Sequence, residues 1–174
     1  MKLSEVKEKA LFKIGNREYI KICDNDKGTV VVMRDCVFNS TYGENNNFAE
    51  SKILKRLNEE VLPEIENDIG VENLLEFETD LTSLDGLKTY GSITSKISIP
   101  TFDLYRSNVE IFDKFKLDRY WWLATPDTTS EHVNDWWCSC VSPSGRIDDD
   151  NYYDDNGVRP VLLFVSSISV SCEE

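Results

Sequence analysis

The side chains best suited to chemistry in this chain lie between Asn134 and Asn156. Within that window Asn134, Asp135, Trp136, Trp137, Ser139, Asp148, Asp150, Tyr152, Tyr153 and Asp155 combine broad aromatic faces with carboxylate, amide and hydroxyl groups. Indole and phenol rings offer large contact areas at small entropic cost, and short polar side chains make adaptable hydrogen bonds, as in antibody loops. The window therefore suits non-covalent ligand binding. A competing reading is a solvated acidic loop, Asp148 to Asn156, that resists aggregation through its charge. Two tyrosines expected to be exposed, with a tryptophan pair in the same short window, exceed what such a loop needs.

Catalytic chemistry finds less to work with. There is one His, His132, no Gly-x-Ser-x-Gly elbow and no phosphate-binding loop. Carboxylates are plentiful, yet nothing in the sequence singles out a pair for acid–base work. The five cysteines, Cys23, Cys36, Cys138, Cys140 and Cys172, are odd in number and follow no signal peptide. They are expected as reduced thiols in or near strands, not as a disulfide framework. A zinc site would have to gather ligands from distant positions. Asp148, Asp149, Asp150, Asp154 and Asp155 are hard oxygen donors, but their spacing is not that of a helix–loop–helix calcium site. The expectation is therefore no cofactor, no metal and no enzyme.

The gross composition narrows the partners. A net charge of −13 repels phosphate backbones and anionic lipid, which argues against nucleic-acid and membrane-surface roles. No apolar run reaches transmembrane length, and the first nine residues lack a signal-peptide core, so synthesis in the cytoplasm is expected. A length of 174 residues with 40% hydrophobic content suits one domain with one real core. Within it, a hairpin and helices over residues 11–110 precede a ligand-display segment over 120–165.

Positioning the window falls to elements along the whole chain. Residues 11–38 read as strands, with a hairpin turn at Asp24-Asn25-Asp26-Lys27-Gly28. Asn39 to Asn47 reads as a polar loop. Ser51 opens a helix whose apolar face is Ile53, Leu54, Leu57, Val61 and Leu62, and Pro63 is expected to end or bend it. A short helical piece around Ile65, Ile69 and Leu74 follows. Leu81 to Leu87 is turn-rich, and Thr101 caps a helix from Phe102 to Asn108. Then come the Trp121-Trp122 pair, a hairpin turn at Ser142-Pro143-Ser144-Gly145, and an apolar strand from Val158 to Val165. Trp121 and Trp122 suit a core role better than ligand stacking. Arg159 suits a guanidinium satisfying backbone carbonyls or an acidic partner, with anion binding as its functional alternative. The fold class is α+β, with helices on small antiparallel sheets.

Three segments in this order carry a resemblance: Trp121-Trp122-Leu123-Ala124-Thr125-Pro126, then Ser144-Gly145-Arg146-Ile147, then Gly157-Val158-Arg159-Pro160-Val161-Leu162. With the helix from Ser51 to Asn58, the stretch from Asp80 to Gly86 and Thr101 to Arg106, the chain resembles the DUF6273 family of bacterial and phage proteins. The resemblance implies a C-type-lectin-like fold, with short helices packed on small antiparallel sheets and a loop-rich face near the C-terminus. That fold is related to formylglycine-generating-enzyme domains and to the variable proteins of diversity-generating retroelements. The implied role is non-catalytic recognition of a host-surface protein or glycan by a phage or prophage protein, compatible with tail association or homo-oligomerisation. A formylglycine-generating-like catalytic domain, or a structural virion component without its own ligand, are the alternatives. Residues 134–156 are dense in Asn, Tyr, Asp, Ser and Cys, all reachable from an Asn codon by changing adenines, whereas Trp136 and Trp137 are not. Val133-Asn134-Asp135 to Cys138 is similar to the calcium motif of sugar-binding lectins, with Val133 where that motif has Trp.

Overall fold

In the computed structural model, which describes residues 1–172, three consecutive antiparallel strands form first: β1 (Leu11–Ile14), β2 (Arg17–Asp24) and β3 (Thr29–Met33). The Asp24–Gly28 hairpin is present, and Asn25 closes it by accepting from the Lys27 and Gly28 amides at 2.9 Å. The apolar run ahead of it is two strands instead of one, because a turn at Gly15-Asn16 folds β1 back on β2. The expected polar loop starts with a strand, β4 (Phe38–Ser40), and buries Tyr42 and Asn46 in its remainder.

Ser51 caps its helix, accepting from the Leu54 amide at 3.0 Å. The helical segment runs through α1 (Lys52–Arg56), a π-helical turn (Leu57–Val61) and α2 (Leu62–Ile69). Pro63 does not end it. Proline is tolerated in a first helical turn, where its missing N–H is not needed, and the wider turn before it restarts the helix. Ile53, Leu57, Val61 and Ile65 bury one face. Leu74, expected in a helix, begins a strand instead.

Beyond it lie β5 (Leu74–Leu75), the β6 (Phe77–Asp80) and β7 (Ser92–Ser95) hairpin, β8 (Ile97–Ser98), α3 (Phe102–Ser107) and α4 (Val109–Lys114). Thr101 caps α3 through its Leu104 amide at 3.1 Å. The C-terminal third contributes β9 (Trp121–Pro126), β10 (Trp137–Val141), β11 (Ile147–Asn151), β12 (Asn156–Val158) and β13 (Val161–Phe164). One sheet runs β1-β2-β3-β13-β5, with β8 also on β13, and a second runs β11-β10-β9-β12-β4. The chain is thus α+β, built mostly from small antiparallel sheets.

Two expectations change here. The acidic run is not a loop: Ile147 to Asn151 pairs residue by residue with β10, from Val141↔Ile147 to Trp137↔Asn151. Nor is Val158–Val165 one strand. Arg159-Pro160 breaks it, leaving β12 in the second sheet and carrying β13 into the first.

Alternation along β9 sends its side chains into two cores. Trp122 and Ala124 join Cys138, Cys140 and the Ile53–Ile65 helical face. Trp121 and Leu123 join Val141, Ile20, Val32 and the α3–α4 residues Tyr105, Ile111 and Phe112. Trp122 is fully buried, and its indole N–H donates to Ser40 O at 2.8 Å. Trp121 packs against Phe112 and Tyr105 at centroid distances of 5.5 and 5.9 Å. Arg159 is fully buried and donates to three backbone carbonyls, Met33 O at 2.9 Å, Arg34 O at 2.8 Å and Phe115 O at 3.2 Å. Its carbon centre lies 5.2 Å from the Trp121 ring centroid and 5.3 Å from that of Phe112. Burial pushes this guanidinium down to about 10. It is a frame residue. Gly157 completes the frame, since a Cβ there would lie 2.5 Å from Cys36 Sγ. The terminal segments are hydrogen-bonded to each other, Leu3 N to Ile168 O and Val170 N to Met1 O at 2.9 Å.

Candidate functional site

The β10–β11 ladder brings the two halves of the aromatic window together. Its open end sets Trp137 opposite Asn151, and the Tyr152 amide donates to Trp136 O at 3.0 Å. Three large side chains stand out from this end: Trp136 is 52% exposed, Trp137 39% and Tyr153 65%. Val133, 66% exposed, extends the apolar area along the preceding loop. Asn134 shapes that loop by accepting from the Trp136 amide at 3.1 Å.

Not every expected residue belongs to this surface. Ser139 is fully buried and its hydroxyl donates to Thr125 O, so it is a core residue. Tyr152 is half-buried, packed against the larger core and edge-on to Tyr153 at 5.5 Å. Only one of the two tyrosines is therefore fully displayed. The acidic residues divide as well. Strand alternation turns Asp148 and Asp150 to one side of β11 and Asp149 to the other, so the run is not one acidic patch. Asp148 accepts from Arg146 at 2.9 Å, and Asp150 accepts from the Asn156 amide at 2.7 Å. Asp135 is half-buried and Asp155 exposed.

Behind the aromatic face lies a set of polar residues that the sequence did not single out. Asn46 is fully buried. Its side-chain amide donates to Thr128 O at 2.8 Å and Trp137 O at 3.0 Å, its carbonyl accepts from Tyr90 OH at 2.6 Å, and its backbone N–H donates to Asp135 O at 2.8 Å. Asp85, from the turn-rich segment, accepts from Ser83, from Thr128 Oγ1 at 2.6 Å and from His132 Nδ1 at 2.7 Å. Burial works against its charge, but the hydrogen bonds from Ser83, Thr128 and His132, with the nearby imidazole, outweigh that and hold it down at about 2.

Asp127, next to β9, behaves in the opposite way. Its Oδ1 is buried without a hydrogen-bond partner. Burial, a hydrogen bond to the Asp149 carboxyl and the charges of Asp149, Asp85 and Asp148 push it up to about 8. Asp127 therefore holds its proton up to near neutrality. Cys138 and Cys140 lie on the other face of β10, and burial is the main cause that pushes both thiols up, which suppresses thiolate formation. Among the described residues no three His, Cys, Asp or Glu side chains converge to hold a metal ion.

The sequence signals for these polar groups were slight. Asn46 lay in an Asn-rich stretch without periodicity, and Asp85 and His132 are 47 positions apart. None of the described helices is long and apolar enough to cross a membrane. Comparison with known proteins found no matching family model, no matching curated protein and no matching solved structure.

Proposed function

We propose that this chain is a non-catalytic ligand-binding protein of phage or prophage origin, with a C-type-lectin-like architecture, that recognises a host-surface protein or glycan. The observation carrying the proposal is the exposure of Trp136, Trp137 and Tyr153 at one end of a paired strand ladder. Large aromatics left in water cost solvation free energy, which a ligand covering them would recover. On a rigid ladder they form a preorganised contact area, with Asp135 and Asp155 at hand to accept hydrogen bonds. An indole face stacks equally well on the C–H face of a sugar or on an apolar or cationic protein side chain. A display surface near the C-terminus accords with the lectin-like architecture that the sequence resemblance implies. The burial of Cys138 and Cys140 speaks against the cysteine-based catalytic alternative. Under the retroelement reading, variation would fall on Asn134, Tyr153 and Asp155 and spare the buried Ser139. A neighbouring reverse-transcriptase gene with a near-identical template repeat would identify it.

The test is adsorption of the labelled protein to intact cells of a bacterial strain panel. The combined variant Trp136→Ala, Trp137→Ala and Tyr153→Ala should lose adsorption while its melting temperature stays within a few degrees of the parent's. Equal adsorption by parent and variant on every strain would sink the proposal.

A further inference from the structure

The display loop is tied down at three points by one buried residue from a distant part of the chain, twice through its side chain and once through its backbone. Residues 128–137 leave β9, pass through Val133 and return as β10 carrying Trp136 and Trp137. A loop of this length with two exposed indoles at its return would sample many conformations if left to itself, and ordering it would then oppose every binding event. Asn46 removes that freedom. Its side-chain N–H groups bond Thr128 O where the loop departs and Trp137 O where it returns, and its backbone N–H bonds Asp135 O in between. Its side-chain oxygen is fixed in turn by Tyr90 OH, so the amide cannot rotate away. The Thr128 carbonyl, bonded in a buried setting, would be left short of a partner without it.

We infer that Asn46, held by Tyr90, is the positioning residue that keeps residues 128–137 in their binding conformation; this rests on the function proposed above. The side chain does not reach the ligand. It sits behind the surface, in a segment separate from the displayed one, so the exposed residues can change while their support stays the same. Only an amide does this work. Aspartate has the shape but, when ionised, sets a charge against two carbonyl oxygens, and alanine strips Thr128 O of its Asn46 donor and leaves Trp137 O with the Asp127 N–H alone.

Amide hydrogen exchange on the full chain, without any ligand, tests the clamp. In Asn46→Ala the amides of Asp127, His132, Val133 and Tyr152 should exchange about ten-fold faster or more, while those of the β2–β3 ladder keep their protection. Asn46→Asp should show the same loss at pH 8 and recover part of it at pH 5, where a protonated carboxyl regains a donor. A residue that merely filled space would not acquire that pH dependence. If Asn46→Ala fails to fold, Tyr90→Phe removes one fixing bond and should speed the same four amides by a smaller factor. Unchanged exchange in the loop would overturn the inference, and so would protection lost evenly along the whole chain. Adsorption to the strain panel, run with the same variants, separates the two ideas. Faster loop exchange with no adsorption even by the parent supports the clamp and rejects the proposed function.

Discussion

Replacing Asp127 with asparagine should make the protein more resistant to denaturant, and increasingly so as pH rises. Asp127 titrates near 3.8 in an unfolded chain but is held up to about 8 in the fold. Between those values the folded protein keeps a proton that the unfolded chain has released. Stability from this group is therefore greatest below pH 4 and falls as pH rises toward 8. Each pH unit in that interval removes at most about 1.4 kcal/mol, so the span from pH 4 to 7 has a ceiling of roughly 4 kcal/mol. Because Asp149 is exposed and the pair is not sealed from water, solvent screening reduces that to about 2 kcal/mol. The substituted asparagine would carry no titrating proton, and its amide could still donate to Asp149. Urea unfolding followed by tryptophan fluorescence, at pH 4.5, 6, 7 and 8, gives the difference in unfolding free energy between variant and parent. That difference should grow by about 2 kcal/mol across the series. A difference that stays flat, or shrinks as pH rises, would refute the account of Asp127 as a carboxyl kept protonated by its burial and its acidic neighbours.

Two further outcomes follow from the frame. Arg159→Lys should lower stability by about 3 kcal/mol in the same assay, because an ammonium cannot span the Met33, Arg34 and Phe115 carbonyls or lie flat between Phe112 and Trp121. Asp85→Asn should flatten the acid limb of the stability curve. In the parent, the folded carboxylate, held at about 2, contributes stability above pH 4 that is lost as pH falls toward 2. An unchanged acid limb in the variant would remove Asp85 from the support of the loop.

The features legible in the sequence are those set by neighbours in the chain. Ser51 and Thr101 cap the helices they were expected to cap, because capping needs only a hydroxyl three residues before an amide. The turns at Asp24–Gly28 and Ser142–Gly145 likewise follow from local Asn, Pro and Gly chemistry; Gly145 adopts a φ of 85°. Arg159 between a turn and an apolar strand signalled a buried guanidinium, and backbone carbonyls do receive it. Trp121 and Trp122 are in the core, as expected of paired aromatics in an apolar run. What escaped depends on partners far off in sequence. Asp148 to Asn151 has poor strand propensity and becomes a strand only because β10 offers a matching ladder. That pairing splits its carboxylates between two faces and withdraws Ser139 into the core. Asn46 and Asp127 carried no local mark of their roles, since their partners lie 22 to 91 positions away.

The passage of the chain at Arg159-Pro160 from one sheet to the other also bears on how the protein is made. The strand that follows, β13, pairs with β3, β5 and β8, so a late segment of the chain completes the interior of the first sheet. Until Val161–Phe164 leaves the ribosome, β3 has an unpaired edge lined by Val30, Val31 and Val32. Contacts this far apart in sequence slow folding, and an apolar strand edge left open meanwhile invites pairing with other nascent chains. The acidic excess behind the net charge of −13 lies after residue 60, so charge repulsion between copies arrives later in synthesis than the open edge does.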